Sequence, residues 1–86
     1  MWILELSLTN DAERLAARAT HRDRLRGLHA RGIVRMAGPL ADDSGAVIIL
    51  DLPDRPAVDA LVAADPYFAT IGTSVRQLRD WRPFLH

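Results

Sequence analysis

The heptapeptide Ala46–Leu52, AVIILDL, limits what this chain can fold into more than any other stretch. Successive strand residues point to opposite faces of a sheet. Here both faces are apolar, with Val47 and Ile49 on one and Ile48, Leu50 and Leu52 on the other. Such a strand belongs in the middle of a sheet, with helices on one side and a second apolar cover on the other. The chain has 86 residues, and a domain of that size buries only about 60–68% of its unfolded surface. One domain spanning residues 1–86 is therefore expected, with a thin core that a second copy of the chain would naturally complete.

The rest of the sequence supplies that surrounding structure. Trp2, Leu4, Leu6 and Leu8 alternate with Ile3, Glu5 and Ser7, the period of a strand buried mainly on one face. Thr9-Asn10-Asp11 breaks it and offers cap residues. Between Ala12 and Ala30 the pattern is helical on two conflicting faces: Ala12, Leu15, Ala16 and Ala19 form one, and Ala17, His21, Leu25 and Leu28 the other. Thr20 and Asp23 have capping-box spacing, so the pattern predicts a short helical turn over 11–18 and a fresh helix started by Thr20. Gly32 supplies the left-handed stop. Ile33–Ala37 reads as a second strand ended by Gly38-Pro39, and the turn-rich stretch through Asp42-Asp43-Ser44-Gly45 connects it to AVIILDL. Asp54 caps a second helix whose stripe is Val58, Leu61 and Val62, and Asp65-Pro66 ends it. A helical turn over Tyr67–Ile71, then Gly72, lead into a last strand near Ser74–Arg82.

The order is β-α-β-β-α-β, a split βαβ arrangement. Right-handed crossovers place both helices on one face of a four-stranded antiparallel sheet. The start of the first helix then lies near the end of the second. His21 occupies the former position and Asp65 the latter, each a polar residue on an apolar stripe. A half-buried carboxylate needs a partner, and mutual pairing would satisfy both residues. A His–Asp dyad can serve as general base and acid, the carboxylate fixing the tautomer.

Composition removes other chemistries. Eleven basic residues balance eleven acidic ones, which points away from nucleic acid and from an acidic membrane surface as partners. All the basic residues are Arg, so no lysine is available as an amine nucleophile. No Cys is present for disulfides, thiolate metal sites or thiol nucleophiles. His21, His29 and His86 lack ligand spacing, so no metal is expected, and neither is a phosphate-binding glycine loop or a cofactor. MWILELSL lacks a basic leader and no run is long enough to span a bilayer, so a cytoplasmic, soluble protein is expected.

His21 with Leu25 and Leu28, then Gly32, Ala37-Gly38-Pro39, the apolar strand, and Ala64-Asp65-Pro66-Tyr67 followed by Trp81, together resemble the YCII-related (YciI-like) family over nearly the whole chain. The resemblance implies a ferredoxin-like α+β fold that forms a homodimer through its open sheet face, as in the dimeric α/β-barrel group. It also implies an active site on a His–Asp pair, falling here on His21 and Asp65. The family's Arg shortly before the His matches Arg18. Three departures stand out: Arg22 replaces the usual Leu beside the dyad, the Leu40–Gly45 connector is short, and Gly72 comes one residue late.

Each candidate has a plainer reading beside the functional one. His21 could bond locally, and Asp65 could cap the turn after it, although a carboxylate has oxygens for both tasks. Arg14 and Arg18 could bind an anionic group or form a solvated face. Tyr67 could line the pocket as donor or stacking surface, or simply fill space, and Gly38 could border a substrate or only end its strand. Trp2 and Trp81 fall on neighbouring strands, suited to core or dimer packing. The enzyme reading is cofactor-independent elimination, isomerisation or hydrolysis of a small, aromatic or carbonyl, substrate. The competing class is a ligand-binding or interaction module with a structural dyad. A cofactor-free oxygenase is a third, recognisable by oxygen uptake.

Overall fold

The computed structural model describes Met1–His86. Strand β1 (Trp2–Leu8) is followed by helix α1 (Ala12–Ala30), strands β2 (Val34–Pro39) and β3 (Gly45–Leu50), helix α2 (Arg55–Ala64), a 3-10 turn (Pro66–Ala69) and strand β4 (Thr73–Asp80). The sheet runs β2-β3-β1-β4 with every neighbouring pair antiparallel. This is the ferredoxin-like βαββαβ arrangement. The doubly apolar strand is central, as its sequence demanded, although it ends at Leu50 rather than Leu52. Beyond it, the Leu52 carbonyl accepts a hydrogen bond from the indole N–H of Trp2 at 3.2 Å.

Register puts Leu4 opposite Ile48 and Trp2 opposite Leu50 on one face of the sheet. Leu4, Leu6, Ile48 and Leu50 join Val34, Val58, Tyr67 and Phe68 in a single buried cluster. Ala17, Leu25 and Leu28 of α1 and Leu61 and Val62 of α2 pack against it. Both helices therefore cover the same face. The opposite face carries no helix, and Met36 lies on it two-thirds exposed.

One expectation fails. There is no break near Thr20: α1 is a single helix of 19 residues, capped by Asp11, whose carboxylate accepts the Glu13 N–H at 2.9 Å. Thr20 lies in its exposed middle, and Asp23 pairs with Arg26 instead of closing a capping box. The conflict between two apolar faces is resolved by sacrificing one. Ala12, Ala16 and Ala19 face solvent and Leu15 is left 40% exposed. Alanine loses little by exposure and favours the helix wherever it points. The face that turns inward carries Arg14, Ala17, His21, Leu25 and Leu28.

Two glycines fix the register of the ends. Gly32 takes φ +78° after α1, the expected left-handed stop. Gly72 has φ +95°, and a Cβ there would lie 2.6 Å from Asp11 Cβ and 2.9 Å from the Thr9 hydroxyl. Its carbonyl accepts the Thr9 N–H at 2.9 Å, tying the entry to β4 against the start of α1. Further along, the β1–β4 pairing shifts register between Glu5 and Leu6, where β4 carries one extra residue. At the β2–β3 hairpin, Asp42 accepts both the backbone N–H and the hydroxyl of Ser44, and these bonds hold its carboxyl below the usual value. Gly72→Ala should combine backbone strain with a steric clash. Strained backbone alone costs on the order of 1–3 kcal/mol, so the variant should melt several degrees lower in a thermal scan, with Gly38→Ala as a mild control because a Cβ there meets nothing.

Candidate functional site

Asp65 stands at the junction between α2 and the 3-10 turn. Its backbone N–H closes α2 on the Val62 carbonyl, and its side chain opens the turn by accepting the Tyr67 N–H at 3.0 Å through Oδ1. Pro66 enforces this switch because its ring disfavours helical backbone at the residue before it. Oδ2 is left over, and it lies 2.7 Å from His21 Nδ1, across 44 positions of sequence. His21 is 7% exposed and Asp65 6%. Both tasks foreseen for the carboxylate are carried out at once, one by each oxygen.

The two residues do not meet in the manner their order suggested. His21 is in the middle of the long α1 rather than in a first turn, so the helix N-terminal dipole, which fades within one turn, does not reach it. They meet because the shorter α2 ends level with the middle of α1. The Arg24 guanidinium donates to the Ala64 carbonyl at this crossing and ties the helices together.

Tyr67 and Phe68 build the remainder of the imidazole's surroundings. The Tyr67 ring stacks on His21 with centroids 3.9 Å apart and planes 11° from parallel, while Phe68 meets the imidazole edge-on at 5.3 Å. Towards a carboxylate, which only accepts, Nδ1 is the donor and the free lone pair belongs to Nε2. That nitrogen makes no hydrogen bond to the chain, and it is not among the sealed, unpartnered polar atoms, which are Arg14 Nη2 and Thr73 Oγ1.

Alongside lies a cavity of about 640 Å³ between α1 and the β2 side of the sheet. His21, Arg14, Arg18, Tyr67 and Gly38 all line it, whereas Asp65 stands behind the imidazole and does not. Arg22, the departure beside the dyad, also lines it, and the short hairpin still contributes Asp43. Five of the six candidate site residues thus border one cavity, and Asp65 reaches it only through His21. Arg14 differs from its plainer reading: no solvated side chain, it is 1% exposed, with Nε donating to the Thr9 carbonyl at 2.5 Å and Nη1 to the Tyr67 hydroxyl at 3.2 Å. Its seven-residue spacing from His21 was the signal, since two turns of helix return to the same face. His29 is exposed and its Nδ1–H donates to the Val34 carbonyl at 2.8 Å. No group of three or more His, Asp and Glu side chains lies close enough to hold a metal.

Compared with known families, the chain matches the YCII-related domain over residues 1–82. It belongs to the YCII-related family. No curated protein matches it, so the match brings a fold and no reaction. Within this YCII-related chain the buried His21–Asp65 pair is the feature with chemical potential. No helix is long and apolar enough to cross a membrane.

Because Asp65 serves two partners, Asp65→Ala removes the Tyr67 N–H acceptor together with the imidazole's partner. A buried donor left without its acceptor costs roughly 1–3 kcal/mol, two donors are orphaned here, and urea denaturation should show a loss of a few kcal/mol. Asp65→Asn keeps an oxygen for Tyr67 and should lose clearly less.

Proposed function

We propose that the protein is a cofactor-independent acid–base enzyme acting on a small carbonyl or aromatic molecule by elimination, isomerisation or hydrolysis. The observation that carries this reading is the 2.7 Å Nδ1–Oδ2 bond, buried behind a cavity wall, which leaves Nε2 as the one uncommitted nitrogen of the imidazole. Nε2 is the base that takes a proton from the substrate or from a water. Asp65 holds the ring in that tautomer and steadies the imidazolium that forms. The Tyr67 oxygen accepts from Arg14, which leaves the phenolic hydrogen for an oxygen on the substrate that gains charge. The imidazolium then returns its proton to the leaving group or to the rearranged carbon. Arg18 and Gly38 border the place where the substrate lies.

Asp65→Asn tests the assignment. An asparagine amide facing Nδ1 donates, which moves the imidazole hydrogen to Nε2 and turns the base into a donor. General base catalysis contributes about 10²–10⁴-fold. Turnover should fall by that factor in both Asp65→Asn and His21→Ala, with Asp65→Asn still folded. The assay is proton NMR in D₂O with small carbonyl and aromatic compounds, reading deuterium uptake at carbon, elimination or hydrolysis. The competing reading, a ligand-binding module with a structural dyad, is favoured by Asp65's second bond to Tyr67. It predicts loss of stability in these variants and no reaction in the parent protein.

The open sheet face is, in this proposal, the site of homodimerisation. Met36 is 66% exposed there, opposite Ile49 on the central strand. Sedimentation should then report twice the 9.6 kDa chain mass, and Met36→Glu should shift it towards the monomer.

A further inference from the structure

One buried charge has no counterpart. The two groups that accept from Arg14, the Thr9 carbonyl and the Tyr67 hydroxyl, are both neutral, and no carboxylate lies within ion-pair distance of it. Nη2 makes no hydrogen bond at all, although it is sealed from solvent. A guanidinium cannot relieve this by losing a proton, and a buried charge left unpaired is expensive. A counter-charge is missing.

The same imbalance continues along the helix. Arg14, Arg18, Arg22 and Arg26 recur at four-residue intervals on α1 and all border the cavity. Like charges at that spacing repel. Only Arg26 is paired within the row, with Asp23. Arg35 on the facing strand is paired with Asp51. Asp43 is the sole acidic residue on the lining and lies near none of the row in an ion pair. The remaining wall is apolar, built from Leu6, Leu25, Val34 and Ile48.

We infer that the cavity takes a small organic acid, a single carboxylate on an apolar ring or chain. The carboxylate lies at the Arg14–Arg18 end, in the field of the buried guanidinium and in direct reach of the half-buried Arg18. The apolar body lies against Leu6, Val34 and Ile48. This deepens the enzyme reading by naming its substrate class, and rests on it only for the placing of a reactive carbon near Nε2 of His21. The charge at Arg14 stands whether or not His21 is a base.

Calorimetric titration of the whole protein with benzoate, cyclohexanecarboxylate and hexanoate, each beside its neutral amide, tests the inference. At least one acid should bind ten-fold or more tightly than its amide, and added salt should narrow the difference. Arg18→Gln, at a half-buried position on the cavity lining, should lose most of that preference. Arg14→Met should lose it as well, and if that variant does not fold, Arg18→Gln decides alone. Acids and amides binding alike, no acid binding, or a preference untouched by Arg18→Gln would each overturn the inference. Inorganic phosphate binding more tightly than every carboxylate would overturn the carboxylic-acid class. Turnover lost in Asp65→Asn without any acid preference in the parent protein would sink the anion site and leave the dyad standing.

Discussion

The carboxylate of Asp65 is the point on which this arrangement depends. Its two oxygens face in different directions, one to the backbone N–H that opens the 3-10 turn and one to an imidazole on another helix. The turn it opens carries Tyr67 and Phe68, the two aromatic members of the buried cluster, and both rings press on that imidazole. Carboxylate, turn and stack are therefore one construction. Moving any one of them moves the ring nitrogen that faces the cavity.

The same construction explains why a short chain can hold an imidazole in place so firmly. A histidine with only a carboxylate partner can still pivot about that bond. Here the stacked Tyr67 limits tilt and the edge-on Phe68 limits slide, so the ring is bounded on three sides. Rigid support of this kind is what a group needs if it must be within a fraction of an ångström of a reacting atom. It is supplied by neighbours in sequence to Asp65, which lets a four-residue turn do the positioning.

Much of this was legible in the residues alone, and what was not has a physical cause. The doubly apolar β3 and the alternating β1 announced a central pair, and a right-handed crossover then left little choice for the helices. His21 and Asp65 were visible because each interrupts an apolar stripe. The course of α1 was misread because its alanines were weighed as core residues, when their small side chains tolerate solvent and only favour the helix. That error moved His21 to a helix start, whereas it lies in the middle of one continuous helix. It also left the burial of Arg14 unread, although the residue was a candidate for binding an anion, since the inward face becomes clear only once the helix is continuous. An arginine on an apolar stripe looks like a solvated intruder until the stripe is known to be buried along its whole length.

The buried residues number only 13, and three of them are Arg14, His21 and Asp65. Arg14 is among the largest fully buried side chains of the chain. For a domain this small, interior volume is scarce and every apolar contact counts, so a charged group in that volume works against stability. Local rules of folding are usually broken where function requires it. In this chain the three violations are contiguous: Asp65 touches His21, His21 stacks on Tyr67, and Tyr67 accepts from Arg14. A purely structural use explains the first link, since His21 and Asp65 satisfy each other. It does not explain the last, where a permanent charge has been brought inside without an acid to meet it. The end of that chain of contacts is therefore a better guide to what the cavity admits than the His–Asp pair itself.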